Sequence, residues 1–333
     1  SSYRSPILLV DSNLARQLTV HRSSLLTARQ VVLCSALCLI KVILFRKTLY
    51  QFRLLSHNVF SIDGVKIVSF KEKTEGITIK ISKNGVESYT RSCVQVKITT
   101  ENGFAIPVMT EWISTEDGEK KEDCELNAFK RLAKRLRQVF PKLPICFVFD
   151  GLYANDAVFT ICDNFAWKYI VVLKDQSLKS LWQNITETVL TQIYPVTCEV
   201  VSSDKCGFLN DDIQVPLPSK GTIEILYRTL EWINGLNYKK HSLNWFACSE
   251  FVGEFEAPDD TCYFAFLTNF LISKENILSI EKTARYGRAG IEDSFNTEKN
   301  RGYAMKHKYA RKSFKAARNY LTCMHIAEII KQI

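Results

Sequence analysis

Apolar positions recur along this chain in two periods, and each change of period marks a new part. From residue 57 the text HNVFSIDGVKIVSF is rich in β-branched and aromatic residues, which predicts a strand with Asp63-Gly64 at its centre. GITIKISKNG alternates apolar and polar residues, as a half-exposed strand does. SYTRSCVQVKITTENG and FAIPVMTEWIS predict two more strands. Asn84-Gly85 and Asn102-Gly103 are strong turn signals and predict an antiparallel meander.

The period then becomes helical. In KEDCELNAFKRLAKRLRQVF, residues Leu126, Phe129, Leu132, Ala133, Leu136 and Val139 fall three and four apart, leaving a basic opposite face. Pro144 ends that pattern, and ICFVFDG reads as a buried strand closed by Asp150-Gly151. NDAVFTICDNF predicts a short helix that Asn155 or Asp156 starts, and WKYIVVLK a second buried strand. Two continuous apolar runs joined through a helix predict a parallel pair in a sheet covered on both faces.

From 176 to about 267 the helix–strand alternation stops, and short strand candidates separated by polar loops predict a β-rich insertion. Helical periodicity returns in SKENILSIEKTARYGRAGIEDSFN, with Ser273 and Asn276 as a weak cap, and in the closing basic ARKSFKAARNYLTCMHIAEIIKQI. The expected organisation is therefore an α/β mixed sheet flanked by helices, with a core of 56–175 and 268–333 interrupted by 176–267. Residues 1–55 show no sustained period and are expected to be a truncated N-terminal segment.

Charge sharpens this picture. The 333 residues carry a formal +9, which favours an anionic partner. Between Lys282 and Arg318 stand eleven Lys/Arg against Glu292, Asp293 and Glu298, so this segment carries +8. Basic charge gathered in one region is the footprint of a phosphate-backbone binder, although a generally basic surface is the plain alternative. Eleven cysteines, without a C-x-x-C pair or Cys/His ligand spacing, read as reduced core thiols of a cytosolic protein rather than a zinc site. The longest apolar run, 31–45, contains Lys41 and is shorter than the ~20 residues that span a bilayer, so no membrane partner is expected.

Three acids stand out. Asp63 and Asp150 each precede glycine after an apolar run, and their strands would be neighbours in a mixed sheet whose first strand is central. Two carboxylates meeting there suit Mg²⁺, a hard ion that takes carboxylate and phosphate oxygens and, in pairs, clamps both oxygens of a phosphodiester displacement. Read singly, either Asp-Gly is an ordinary turn. On a helix Arg288, Glu292, Asn296 and Lys299 lie close to one face, a carboxylate among cations; the bland reading is a surface Arg–Glu pair.

SIDGVKIVSF, DCELNAFKRLAKRL, LPICFVFDGLYANDAVFTIC, WKYIVVLKDQSL, LTNFLISKENI and GRAGIEDSFNTEKNRGY together resemble bacterial DDE transposases of insertion sequences, over residues 55–333. Arg288, Glu292 and Lys299 match the spacing of that family's Y-R-E-K signature. One residue separates Tyr286 from Arg288 where the family has two, and Arg285 occupies the tyrosine slot. The resemblance implies an RNase H-like core with a β-rich insertion and a metal-binding triad of Asp63, Asp150 and Glu292 holding Mg²⁺ or Mn²⁺. It implies cleavage at transposon ends and joining to target DNA, by a homodimer on double-stranded DNA in the bacterial cytoplasm. Arg288 and Lys299, with Arg301, Arg311, Lys312 and Lys315 of the basic segment, would contact DNA. Trp232 and Trp245 are candidates for stacking on a flipped base, with core packing equally open. A catalytically silent DNA-binding remnant, and a nuclease that cuts without joining, also stay open.

Overall fold

The strand at Asn58–Phe70 (β1) is apolar on both faces, so it needs cover on both. Phe60 and Ile62 pack with Phe129, Leu132 and Leu136, whereas Val65 and Ile67 pack with Ile291 and Phe295 from the opposite side. The computed structural model that shows this describes residues 52–81, 85, 87–113, 121–175, 177–190, 205–217, 222–252, 261–308, 311 and 313–332. The apolar run at 31–45 and most of the predicted 1–55 segment lie outside the described residues.

Around β1 the sheet continues with β2 (Thr78–Ile81), β3 (Glu87–Thr99), β4 (Ala105–Trp112), β5 (Ile145–Phe149), β6 (Lys168–Val172), β7 (Cys206–Asn210), β8 (Ile213–Leu217), β9 (Thr222–Tyr238), β10 (His241–Val252) and β11 (Cys262–Thr268). The helices are α1 (Lys121–Val139), α2 (Asp156–Asn164), α3 (Lys179–Thr188), α4 (Ile277–Asn300) and α5 (Phe314–Gln332). The spatial order is β3-β1-β5-β6-β11-β10-β9, with β2 and β4 sharing the outer edge of β3, and β7 and β8 that of β9. β5 runs parallel to both β1 and β6; β1–β3 and β6–β11 are antiparallel. The architecture is thus mixed α/β, as the change of period predicts, and the strands of the β-rich stretch extend the same sheet.

The antiparallel pairing that the two Asn-Gly turns predict is present, β2 with β3 and β3 with β4, but both partners lie on the same edge of β3. β2 is only four residues long and pairs with the start of β3, while β1 itself pairs with β3 from Phe60 to Phe70. A strand buried on both faces takes the interior place, and the short TIKI segment is left at the edge. Residues 179–188, within the stretch read as β-rich, form α3, with Leu181 and Ile185 on its buried face. Elsewhere local chemistry acts as expected. Asn155 caps α2 by accepting the Val158 N–H at 3.1 Å, and Gly103 turns with φ +89°. Phe129, Leu132, Ala133 and Leu136 of α1 are fully buried.

Candidate active site

Parallel pairing sets the first two acids side by side. β1 and β5 are in register from Asn58↔Ile145 to Ser61↔Val148, and two further residues along, Asp63 lies level with Asp150. β5 is buried throughout and ends at Phe149, so Asp150 emerges at its carboxyl end. Asp63 stays within β1, its Oδ1 accepting the Gly64 N–H at 2.7 Å.

α4 brings the third acid. It seats on the sheet through Ile280, Ala284 and Ile291, and through Gly287, where a Cβ would stand 2.8 Å from Val148 Cγ2. That close approach turns Arg288 towards the two aspartates. Its Nη1 lies 3.9 Å from Asp63 Oδ2, and its Nη2 lies 4.0 Å from Asp150 Oδ1 and 2.6 Å from Glu292 Oε1. One guanidinium therefore gathers all three predicted carboxylates. Arg288 Nη1 is buried and has no hydrogen-bond partner. Burial raises the Asp63 carboxyl pKa; Arg288 and the Gly64 N–H pull it down, and Asp150 and Glu292 push it up again. A cleft of about 630 Å³ opens beside the acids, lined in part by Asp150, Lys174, Phe264, Arg285, Arg288 and Glu292.

Two residues of the neighbourhood are not among those the sequence singles out. Lys174, just past β6, places Nζ 3.4 Å from Asp150 Oδ2. Glu125 of α1 is buried with its carboxylate against Gly64, where a Cβ would meet it at 2.6 Å, and it accepts the Tyr153 hydroxyl at 3.2 Å. A Glu inside an otherwise apolar helix face is the trace Glu125 leaves in the sequence.

The predicted DNA-contacting residues divide. Lys299 is half-buried near the acids, with its ammonium pKa lowered by burial and by Lys306 and drawn back up by Glu298 and Asp63. Arg301, Arg311 and Lys315 are exposed; Lys312 lies outside the described residues. Arg285, in the slot where the family signature has tyrosine, grips Glu250 with Nη1 and Nη2 at 2.9 and 2.8 Å, pairs with Glu281 and stacks 4.5 Å over Phe264. It ties α4 to β10. Tyr286 packs beside the cluster that holds Cys146 and Val148. Trp232 and Trp245 are 3% and 1% exposed, so both are packing residues and neither is free to stack on a base. A two-faced sheet swallows residues whose positions in the chain alone leave them open to solvent.

Among the described residues, a different trio has ligand atoms within 4.8 Å of one another: Glu298, His325 and Glu328, near enough to hold a metal ion. The cation there is Lys97, fully buried, which pairs with Glu298 and stands 3.3 Å from Glu328 and 2.5 Å from Ser294 Oγ. One ammonium there already faces both acids. Asp63, Asp150 and Glu292 offer three carboxylates beside an open cleft, the donor type that a hard divalent ion takes, but their ligand atoms do not all lie within 4.8 Å of one another. No family model and no curated protein matches the chain. No described helix is long and apolar enough to cross a membrane.

Proposed function

We propose that this protein is a DDE-type DNA transposase, cutting DNA at the ends of its element and joining them to target DNA. The observation that carries the reading is the convergence of Asp63, Asp150 and Glu292 on Arg288 at the carboxyl end of a parallel strand. The order β4-β3-β1-β5-β6, with β5 and β6 parallel to a central β1, supports an RNase H-like core. The basic segment supports DNA as the partner. Asp63, Asp150 and Glu292 would hold Mg²⁺ or Mn²⁺, which when bound supplies Lewis-acid stabilisation to the attacking and leaving oxygens. Arg288, whose Nη1 makes no hydrogen bond, is placed to hold a phosphate oxygen and to keep Glu292 beside the two aspartates. Lys299, beside Phe295, adds positive charge on the same helix.

Incubation with Mg²⁺ and DNA carrying the element's own ends tests this. Joined products that disappear in Asp150→Ala are expected. Binding without any cutting would reduce the protein to a DNA-binding remnant, and cutting without joining would leave a nuclease.

A further inference from the structure

We propose that Lys174 is a phosphate-contacting residue of this site, its ammonium held at the mouth of the cleft for an oxygen of the DNA backbone. The proposal rests on the phosphoryl-transfer reading above and names a residue that reading does not use.

Three features fix Lys174 in place. Its carbonyl accepts hydrogen bonds from the Trp182 indole at 3.0 Å, the Ser177 N–H at 2.9 Å and the Ser177 hydroxyl at 2.7 Å, so the backbone is pinned just beyond β6. The side chain lies across Gly151, where a Cβ would come within 2.8–2.9 Å of its Cε, Cδ and Cγ. Gly151 does not have a positive φ, so its backbone does not demand glycine. What the missing side chain leaves room for is the stem of Lys174. Finally, Nζ lies 3.4 Å from Asp150 Oδ2 while Arg288 faces Oδ1 at 4.0 Å. Asp150 is thus held between two cations, one on α4 and one on the opposite wall.

An ion pair this exposed, 58% at Lys174 and 30% at Asp150, adds little to stability. Stability alone therefore gives no reason for so fixed a lysine. A strongly hydrated point charge on a flexible stem is the side chain suited to a phosphate oxygen that arrives at a carboxylate site. Were Asp150 to hold a divalent ion, the Lys174 ammonium beside it would be available to that oxygen.

Two measurements on the full chain test this: nicking of supercoiled plasmid in Mg²⁺, and salt-dependent binding of a 40-base-pair duplex in Ca²⁺, where no cutting is needed. Lys174→Gln shortens the stem, keeps a polar end and removes the charge. It should slow nicking about 100–1,000-fold, as removing a donor to the transition state does, and flatten the binding slope by roughly 0.9, with the unfolding midpoint unchanged. Lys174→Arg should recover most of both. Gly151→Ala should slow nicking in the native background and have no additional effect on top of Lys174→Ala. Native nicking and native slope in Lys174→Gln would overturn the proposal, as would a defect that Lys174→Arg leaves in place. A native chain that never nicks would overturn the parent reading and this one with it, a result distinguishable from active protein indifferent to Lys174.

Discussion

Asp63 shows what a buried carboxylate costs the fold that carries it. Its side chain is largely buried in β1, and desolvation outweighs the help of Arg288 and the Gly64 N–H, so its pKa in the folded state stands above 3.8. A raised carboxyl pKa means that the folded chain holds the proton more tightly than the unfolded chain. Its contribution is present below pH 3.8 and is lost as pH rises through the folded value. At neutral pH the ionised group therefore works against folding. Asp63→Asn should unfold at higher urea than the native chain at pH 7, and the gain should vanish below pH 3.8, while strand cleavage is abolished. Urea titrations of both chains at the two pH values check the sign. A variant less stable at pH 7 would mean that Arg288 gives more to the ionised group than burial takes.

At the scale of elements, α4 decides where the third acid goes, and two contacts seat it. Gly287 allows helix and sheet to approach, and Gly287→Ala sets a helix-propensity gain of about 1 kcal/mol against overpacking of about 1–3 kcal/mol on Val148. A net decrease of stability in urea is expected, together with slower cutting as Arg288 and Glu292 lift away. The second contact is the buried hub of Lys97 on β3, Glu298 on α4 and Glu328 on α5, with His325 Nε2 3.3 Å from Glu298. Burial pushes the Glu328 carboxyl up to about 7, against the pull of Lys97. Burial also lowers the His325 pKa below 6.5, although Glu298 pulls it back up. Between pH 4.5 and 6.5 the raised Glu328 pKa favours protonation of the folded chain while the lowered His325 pKa disfavours it, so the two contributions oppose each other. Glu328→Gln should make stability rise with pH up to 6.5, and His325→Gln should make it fall over the same window, each by at most about 1.4 kcal/mol per pH unit. Unfolding of both variants across that window, with slopes of the same sign, would refute the assignment. None of this hub is legible in the sequence, because Lys97 reads as the polar half of an alternating strand and Glu298 as one acid in a basic run. Asp63, Asp150 and Glu292 were legible, because an acid after a buried apolar run and an acid on a basic helical stripe are locally anomalous. Lys174, Glu125 and the burial of both tryptophans depend on which strand lies beside which. Periodicity does not encode that neighbourhood, and α3 was hidden for a related reason: ten residues of helix among short strands are too few to set a period of their own.

For the molecule as a whole, the basic charge between 282 and 318 is less uniform than its count. Arg285 is engaged by Glu250 and Glu281, Arg288 by Glu292, and Lys282 by Glu101 at 2.6 Å. Lys97, fully buried, offers nothing to a partner either. Beyond α4, exposed positive charge comes from Arg301, Lys306, Lys308, Arg311 and Lys315. Long-range attraction to a phosphate backbone should therefore come from the connection into α5 and its first turn, and the face of α4 should act at short range. The two sets are separable by salt. Neutralising Arg311, Lys312 and Lys315 together should reduce the slope of log binding constant against log salt by roughly 0.9 for each phosphate no longer neutralised, for any duplex sequence. Arg285→Gln should leave that slope unchanged and lower stability, because it leaves Glu250 and Glu281 short of a partner. Filter binding or fluorescence anisotropy over a range of salt distinguishes the two. An unchanged slope in the triple variant would place the α5 basic face in solvent, and a reduced slope in Arg285→Gln would put DNA on the Glu250 side of the cleft.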